Sequence, residues 1–251
     1  MLLLPFILLF RFGNRKGPLI AVAVSNRWPY YLQYLRIPYD FAVWRAGGRT
    51  VTISPSDSKR LKTILGKASG IILTGGQDID PKLHNGQPTA LELINSKRDK
   101  LEIEILKENK KLNLPALCIC RGSQLLTVYN GGKLECHDSH AEKLKRHCSS
   151  LLKLSSHDIK IFPDTELVGI LQQNTLKVIS FHHHAACFQG KLKVSAMAID
   201  DDCIEAVECP DSYWTVGVQW HPELQAPFSK LHQALFDKLL DKAVNYSRDL
   251  N

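Results

Sequence analysis

The sequence has no apolar run long enough to cross a bilayer. Its most apolar stretch, MLLLPFILLF at residues 1–10, falls well short of the about 20 residues a spanning helix needs. It does not read as a secretory signal either. Positive charge follows the run, at Arg11, Arg15 and Lys16, instead of preceding it, and no A-x-A-like site comes after. There is no internal repeat and no low-complexity tract, which excludes repeat arrays and compositionally disordered chains. A disulfide framework is missing too. The seven cysteines are odd in number, and Cys118 and Cys120 alternate on one strand, where they cannot readily bridge. That absence points to a reduced, cytoplasmic protein. The net charge is +7, but no basic stripe with interleaved aromatics accompanies it. Lys107, Lys110 and Lys111, then Lys143, Lys145 and Arg146, read as solvated surface, and no nucleic-acid partner is expected.

What is present suits one large α/β domain. The chain has 251 residues, 44% hydrophobic and 23% charged, and no stretch resembles a linker. Residues 1–16 are expected to be an unstructured extension without stable membrane insertion, and 17–251 a single domain. The pattern alternates strand and helix through the first half. Leu19 to Val24, Thr50 to Ile53, Gly70 to Leu73 and Leu114 to Ile119 read as buried strands. Pro38 to Ala46 reads as a helix, with Tyr39, Ala42, Val43 and Ala46 on one face and Gly47 and Gly48 ending it. Ser96 with Asp99 resembles a capping box opening a helix to about Lys110. Such alternation predicts a mostly parallel sheet flanked by helices. In the second half, strands at 159–162, 176–180, 192–198, 204–208 and 214–220, some joined by turns, predict an antiparallel extension. A last helix runs from about Phe228.

LCICRGSQ, residues 117–124, carries the chemistry. A buried strand stops at Cys120 and a helix begins at once. A cysteine on that sharp turn exposes its thiol, and the helix N-terminus favours the thiolate. A nucleophile of this kind needs a base, and the base an orienting group. His221 in GVQWHPE follows an apolar strand, Pro222 stiffens its turn, and Glu223 is placed to bond the far imidazole nitrogen. TGGQD at 74–78 also follows a buried strand, and its two glycines either mark only a tight turn or let the backbone approach a ligand closely, as an oxyanion hole would need. A Cys/His patch, Cys136, His137, His140, His147 and Cys148, fits no structural zinc spacing. It is read as a polar loop, with no metal and no cofactor expected. Trp28 and Tyr30 to Tyr34 form an aromatic cluster that either borders the site or packs elsewhere. Arg121 is equally placed to bind a substrate carboxylate or to pair with an acid.

Taken in order, these motifs resemble the class I glutamine amidotransferase-like superfamily, and within it the stand-alone γ-glutamyl-γ-aminobutyrate hydrolase-like cysteine hydrolases. The similarity runs from about Leu19 to Leu240. It rests on the AGG turn at 46–48, TGGQDIDP at 74–81, Arg98-Asp99, CICRGSQLLTVYNGGKL at 118–134, SFHHHAA at 180–186 and GVQWHPE at 217–223. The resemblance implies a flavodoxin-like sheet and a γ-glutamyl thioester route. Cys120 would be the nucleophile, His221 the general base and acid, and Glu223 the orienting carboxylate. Gly76 and the Arg121 N–H would form the oxyanion hole, and Gly75, Gln124, His182 and His183 would line the γ-glutamyl pocket. Three positions depart from the family pattern: Cys118 where glycine is usual, His184 in place of glutamine, and the LHNGQP loop with His84 and Asn85. The partners implied are a small γ-glutamyl substrate and water, with a homodimer as the family would suggest. Two alternatives stay open: a glutaminase subunit feeding ammonia to a separate synthetase, and a non-catalytic binding module on the same fold.

Overall fold

The structure is a computed structural model, and it describes residues 16–25, 36–86, 93–136, 155–182 and 184–249. The N-terminal run 1–15, the aromatic cluster at 28–34, His183 and the Cys/His patch beyond Cys136 lie outside the described residues.

Eleven strands form one sheet among these residues. β1 (Leu19–Ala23), β2 (Arg49–Ile53), β3 (Gly70–Leu73), β4 (Ala116–Ile119) and β11 (Thr215–Val218) run parallel in the order β2-β1-β3-β4-β11. β1, β3, β4 and β11 are buried almost throughout. This explains why they read as continuous apolar runs and not as alternating ones. Beyond β11 the sheet turns antiparallel through β10 (Ile204–Glu208), β9 (Lys193–Ala198), β6 (Ser155–Ile161) and β7 (Thr175–Ser180). A hairpin-like pair, β5 (Lys133–Cys136) and β8 (His184–Phe188), joins through β10. In β6 and β7 alternate residues are buried, as a half-covered antiparallel sheet requires.

Helices cover the parallel part on both faces. On one face, α1 (Ile37–Arg45) and the long α7 (Lys230–Asp249) pack Tyr39, Val43, Leu235, Phe236 and Leu239 against Ile20, Val22, Ile72, Leu117 and Ile119. On the other, α2 (Leu61–Leu65), α3 (Ser96–Leu112) and α4 (Arg121–Tyr129) bury Leu61, Leu65, Leu101, Ile105, Leu125 and Leu126 against Ala21, Ile71, Leu73 and Cys118. Each such side chain, fully buried, contributes about 1.5–3 kcal/mol. Two short helices complete the set: α5 (Glu166–Leu171) and α6 (Pro222–Gln225).

The mixed α/β class follows the sequence pattern. After β2, Pro55–Arg60 forms a 3-10 turn, with Asp57 and Ser54 in a capping box. One local reading is corrected. Helix α3 is capped by Asn95, whose side chain accepts the Arg98 N–H at 3.2 Å, and not by Ser96. Asp99 is released from a capping role and pairs with Arg121 instead. No helix among the described residues is long and apolar enough to cross a membrane.

Candidate functional site

The parallel strands end at one edge of the sheet, and their carboxyl ends converge there. β4 stops at Cys120, which adopts φ +51°, ψ −108° before α4 begins at Arg121. A non-glycine residue in that region is strained, and such strain collects at sites where a side chain must be aimed. Two contacts hold the turn. The Cys120 N–H donates to the Val218 carbonyl at 2.7 Å, and its own carbonyl accepts the Gln124 N–H at 3.0 Å. Close packing fixes the rest. A Cβ at Gly122 would lie 2.4 Å from the Leu73 carbonyl, and one at Gly217 2.7 Å from Ser123 Oγ. Only glycine lets α4 start this near to β3 and β11. The first N–H groups of α4, from Arg121 onward, have no intrahelical acceptor.

β11 is followed by Gln219, Trp220 and His221, and α6 opens with Pro222 and Glu223. His221 Nδ1 lies 2.7 Å from Glu223 Oε1. Its other nitrogen is left for Cys120, whose charge acts on the ring. Phe181 closes on the ring edgewise at 5.6 Å. Burial alone would pull the imidazole's pKa down, but the anions of Glu223 and Cys120 outweigh it and raise it well above 6.5. The three residues read from the sequence as nucleophile, base and orienting acid therefore stand together, with His221 and Glu223 hydrogen-bonded and Cys120 acting on the ring.

The 74–76 loop lies against this cluster. A Cβ on Gly75 would sit 2.7 Å from His221 Cε1 and 3.6 Å from Cys120 Cβ. The Gly75 N–H is already committed, donating to the Tyr39 hydroxyl at 3.1 Å. That hydroxyl also faces Glu223; burial first, and then the Glu223 charge, push its pKa up. Gly76 has φ +153°, and a Cβ there would fall 2.1 Å from Arg98 Nη1. The loop is thus moulded on a buried guanidinium. Arg98 donates to the carbonyls of Thr74 at 2.8 Å and Gly75 at 3.1 Å, to Thr74 Oγ1 at 3.0 Å and to Ser25 Oγ at 3.0 Å. It also pairs with Glu102 at 2.7 Å.

Arg121 resolves toward one of its two readings. Its side chain is 1% exposed and pairs with both Asp99 and Glu102. Two cations and two carboxylates thus balance beneath the elbow. Gln124 is buried, donating to the His184 carbonyl at 2.8 Å and to Gln219 Oε1 at 3.2 Å. Gln219 in turn directs its amide at Cys120 Sγ, 3.7 Å away. His182 is 3% exposed and turned inward to Glu205, while His183 lies outside the described residues. His184, the departure from glutamine, sits 3.4 Å from Asp78 Oδ1. Cys118 is fully buried on the α4 side of the sheet, and burial drives its thiol pKa far up. It is an inert small core residue. Among the described residues no group of three or more His, Cys, Asp or Glu side chains is arranged to hold a metal ion.

Sequence reasoning missed Gln219, Tyr39 and the Arg98–Glu102 pair. Gln219 stands inside GVQWHPE, where a buried amide ending an apolar strand was the available signal. Tyr39 was absorbed into an apolar helix face, which hid its hydroxyl. Arg98 and Glu102 are spaced i, i+4 on a helix, a pattern usual for solvated pairs.

A doubly covered parallel sheet with a cysteine elbow, an adjacent His–Glu pair and a glycine loop defines a glutamine amidotransferase-like α/β protein. The chain belongs to the Peptidase C26 family, whose model matches residues 18–223. It is 34% identical over 203 residues to Protein NtpR of Enterococcus hirae, covering 78% of this chain and 84% of that protein. It is 28% identical over 237 residues to the gamma-glutamyl-gamma-aminobutyrate hydrolase PuuD of Escherichia coli, covering 88% and 91%. Among solved structures, the glutaminase domain of Trypanosoma brucei CTPS with bound acivicin superposes with a TM-score of 0.64 at 13% identity, covering 90% of this chain and 94% of that one. That likeness is one of fold.

Proposed function

We propose that the protein is a cysteine hydrolase of γ-glutamyl amide bonds, working through a γ-glutamyl thioester. The observation that carries this reading is the cluster Cys120, His221 and Glu223: a strained elbow thiol beside an imidazole whose far nitrogen is 2.7 Å from a buried carboxylate. Membership of an amide-hydrolysing family and the name of the Escherichia coli relative support it.

The Cys120 thiolate attacks the γ-carbonyl carbon and forms the C–S bond. Charge develops on the carbonyl oxygen, where the N–H groups of Gly76 and Arg121 stabilise it; one such donor is worth about 2.7–4 kcal/mol. Gly75 cannot serve as that donor, because Tyr39 holds its N–H. The C–N bond then breaks and the amine leaves with the proton of His221. Water attacks the thioester, giving its proton to His221, and glutamate departs as the thiol and imidazole are restored. Glu223 keeps the ring in the orientation that both transfers require. Gln124 and Gln219 border the acyl pocket.

The test is a screen of the purified chain against γ-glutamyl-γ-aminobutyrate, γ-glutamyl polyamines, folate polyglutamate and glutamine. Turnover of a γ-glutamyl amide without added protein is expected, and Cys120→Ala abolishes it with the fold intact. Negligible turnover until a second protein is supplied favours the glutaminase-subunit reading. Full activity in Cys120→Ala removes the nucleophile assignment.

A further inference from the structure

The residue that follows β11 reaches the nucleophile. Gly217 faces α4, where a Cβ would meet Ser123 Oγ at 2.7 Å, and Val218 packs on the opposite side with Leu235 and Phe236. Alternation along the strand therefore turns Gln219 back toward α4. There it meets Gln124. Backbone bonds fix the approach. The Gln219 N–H donates to the Glu205 carbonyl at 2.7 Å, and the Cys120 N–H donates to the Val218 carbonyl at 2.7 Å. Gln219, Gln124 and Cys120 are all buried.

One unambiguous acceptor sets the direction of both amides. A backbone carbonyl only accepts, so the nitrogen of Gln124, and not its oxygen, faces the His184 carbonyl at 2.8 Å. That nitrogen carries two hydrogens, and the second is given to Gln219 Oε1 at 3.2 Å. With its oxygen engaged in this way, Gln219 turns its own nitrogen outward and donates to Cys120 Sγ at 3.7 Å. Reversing the Gln219 amide would set hydrogen against hydrogen at Gln124 and an oxygen lone pair against the sulfur. Both bonds would be lost in a buried place, which is costly.

We propose that Gln219 is a further catalytic residue, whose amide N–H donates to the Cys120 sulfur and stabilises the thiolate formed when the thiol gives its proton to His221. A hydrogen bond to an ionised partner is stronger than one to a neutral partner. The donor is therefore worth more to the thiolate than to the thiol, and it favours the attacking form. Being neutral, it does so without opposing the imidazolium. The charged and titratable groups around Cys120 are His221 after β11, Glu223 on α6 and Tyr39 on α1, with Arg98, Arg121, Asp99 and Glu102 beneath the elbow. Replacing Gln219 removes none of them, so a change in thiol reactivity reports the amide. The inference rests on Cys120 being the nucleophile of the proposed hydrolysis, and not on which amine leaves.

The experiment uses the full chain and no substrate. In protein labelled with 15N-glutamine, the side-chain amide resonance of Gln219 is expected to shift as Cys120 ionises with rising pH, and to stop shifting in Cys120→Ala. Iodoacetamide then reads reactivity: the sulfur forms a bond to the acetamide carbon, iodide leaves, and the product is counted on the Cys120 peptide by mass spectrometry. Gln219→Glu keeps an oxygen for the Gln124 N–H and puts a second oxygen where the donor stood. Gln219→Met removes the amide at similar volume. In both variants the alkylation profile is expected to move toward higher pH, with the rate near neutrality about tenfold lower. A parental profile in Gln219→Met overturns the proposal. So does a Gln219 amide that stays still while Cys120 ionises, a reading that needs no Gln219 variant to fold. A chain that shows both effects but hydrolyses no γ-glutamyl amide keeps this donor and loses the proposed function. One that hydrolyses them and shows neither effect does the reverse.

Discussion

Replacing Arg98 by Met separates what this side chain does for the fold from what it does for the site. The guanidinium is 1% exposed and makes five contacts with four residues: Glu102, Ser25, two on Thr74 and the Gly75 carbonyl. Its loss leaves the buried Asp99 and Glu102 against Arg121 alone. Breaking a buried pair from one side costs about 3–5 kcal/mol. It also unmoulds the loop, because Gly76 is packed directly on Arg98 Nη1. If Gly76 donates to the oxyanion, a displaced N–H lowers kcat by about 10²–10³-fold. The second variant, Arg98→Met with Glu102→Gln, removes one charge of each sign and leaves Arg121 and Asp99 balanced. Urea unfolding is expected to recover most of the lost stability in the double variant. Hydrolysis of a γ-glutamyl anilide, followed at saturating substrate, is expected to stay depressed. Recovery of kcat in parallel with stability would refute the argument, showing that Arg98 acts on the site only through the fold.

Three further outcomes are expected. The raised His221 pKa places the alkaline limb of kcat/KM well above 6.5, since the leaving amine needs the ring proton. Glu223→Gln removes one of the charges raising it, so the limb moves to lower pH; an unmoved limb separates Glu223 from the base. His232, buried in α7, is lowered to about 4 by burial against the opposing pulls of the Lys177 carbonyl and Glu223. A depressed histidine leaves stability intact above about 6.5 and removes it as pH falls toward 4, by about 3 kcal/mol over that interval. His232→Gln is therefore expected to flatten the acid limb of stability measured by urea midpoints between pH 7 and 4, and an unchanged limb counts against it. Finally, Cys120→Gly is expected to unfold at a temperature no lower than Cys120→Ala, because φ +51° strains alanine and not glycine; the comparison is made by calorimetry.

The fold was legible where local pattern and tertiary environment agree. β1, β3 and β4 are buried on both faces, so their apolar runs show through without any partner in view. β5 and β8 did not show. Lys133, Glu135, Cys187 and Phe188 are polar or exposed, and the strands exist by pairing with each other across about fifty residues of sequence. The short α5 escaped for a related reason: Glu208, on a distant strand, accepts the N–H groups of Glu166 and Leu167 at its start. In the site, Cys120, His221 and Glu223 were visible because motif spacing and turn chemistry mark them. The residues that hold them were not. Arg98 stands in the Arg98-Asp99 motif without a role until the fold places Thr74 and Gly75 against it, and a charge has no sequence signature of burial.

The elbow is then best understood as the meeting of two buried polar systems of different kinds. On the β3 side, ion pairs between Arg98, Arg121, Asp99 and Glu102 fix the glycine loop and the start of α4. On the β10 side, amides and imidazoles lead from Cys120 to Glu205. Cys120 lies between them in a conformation that its own backbone disfavours. Apolar packing alone does not specify such a φ, because Leu and Ile contacts tolerate small slips of a turn. Directional bonds do not tolerate them, since a slipped turn leaves buried donors and acceptors unmade. Gly122 and Gly217 supply the closeness, and the two networks supply the direction. The thiol is aimed because both must be satisfied at once.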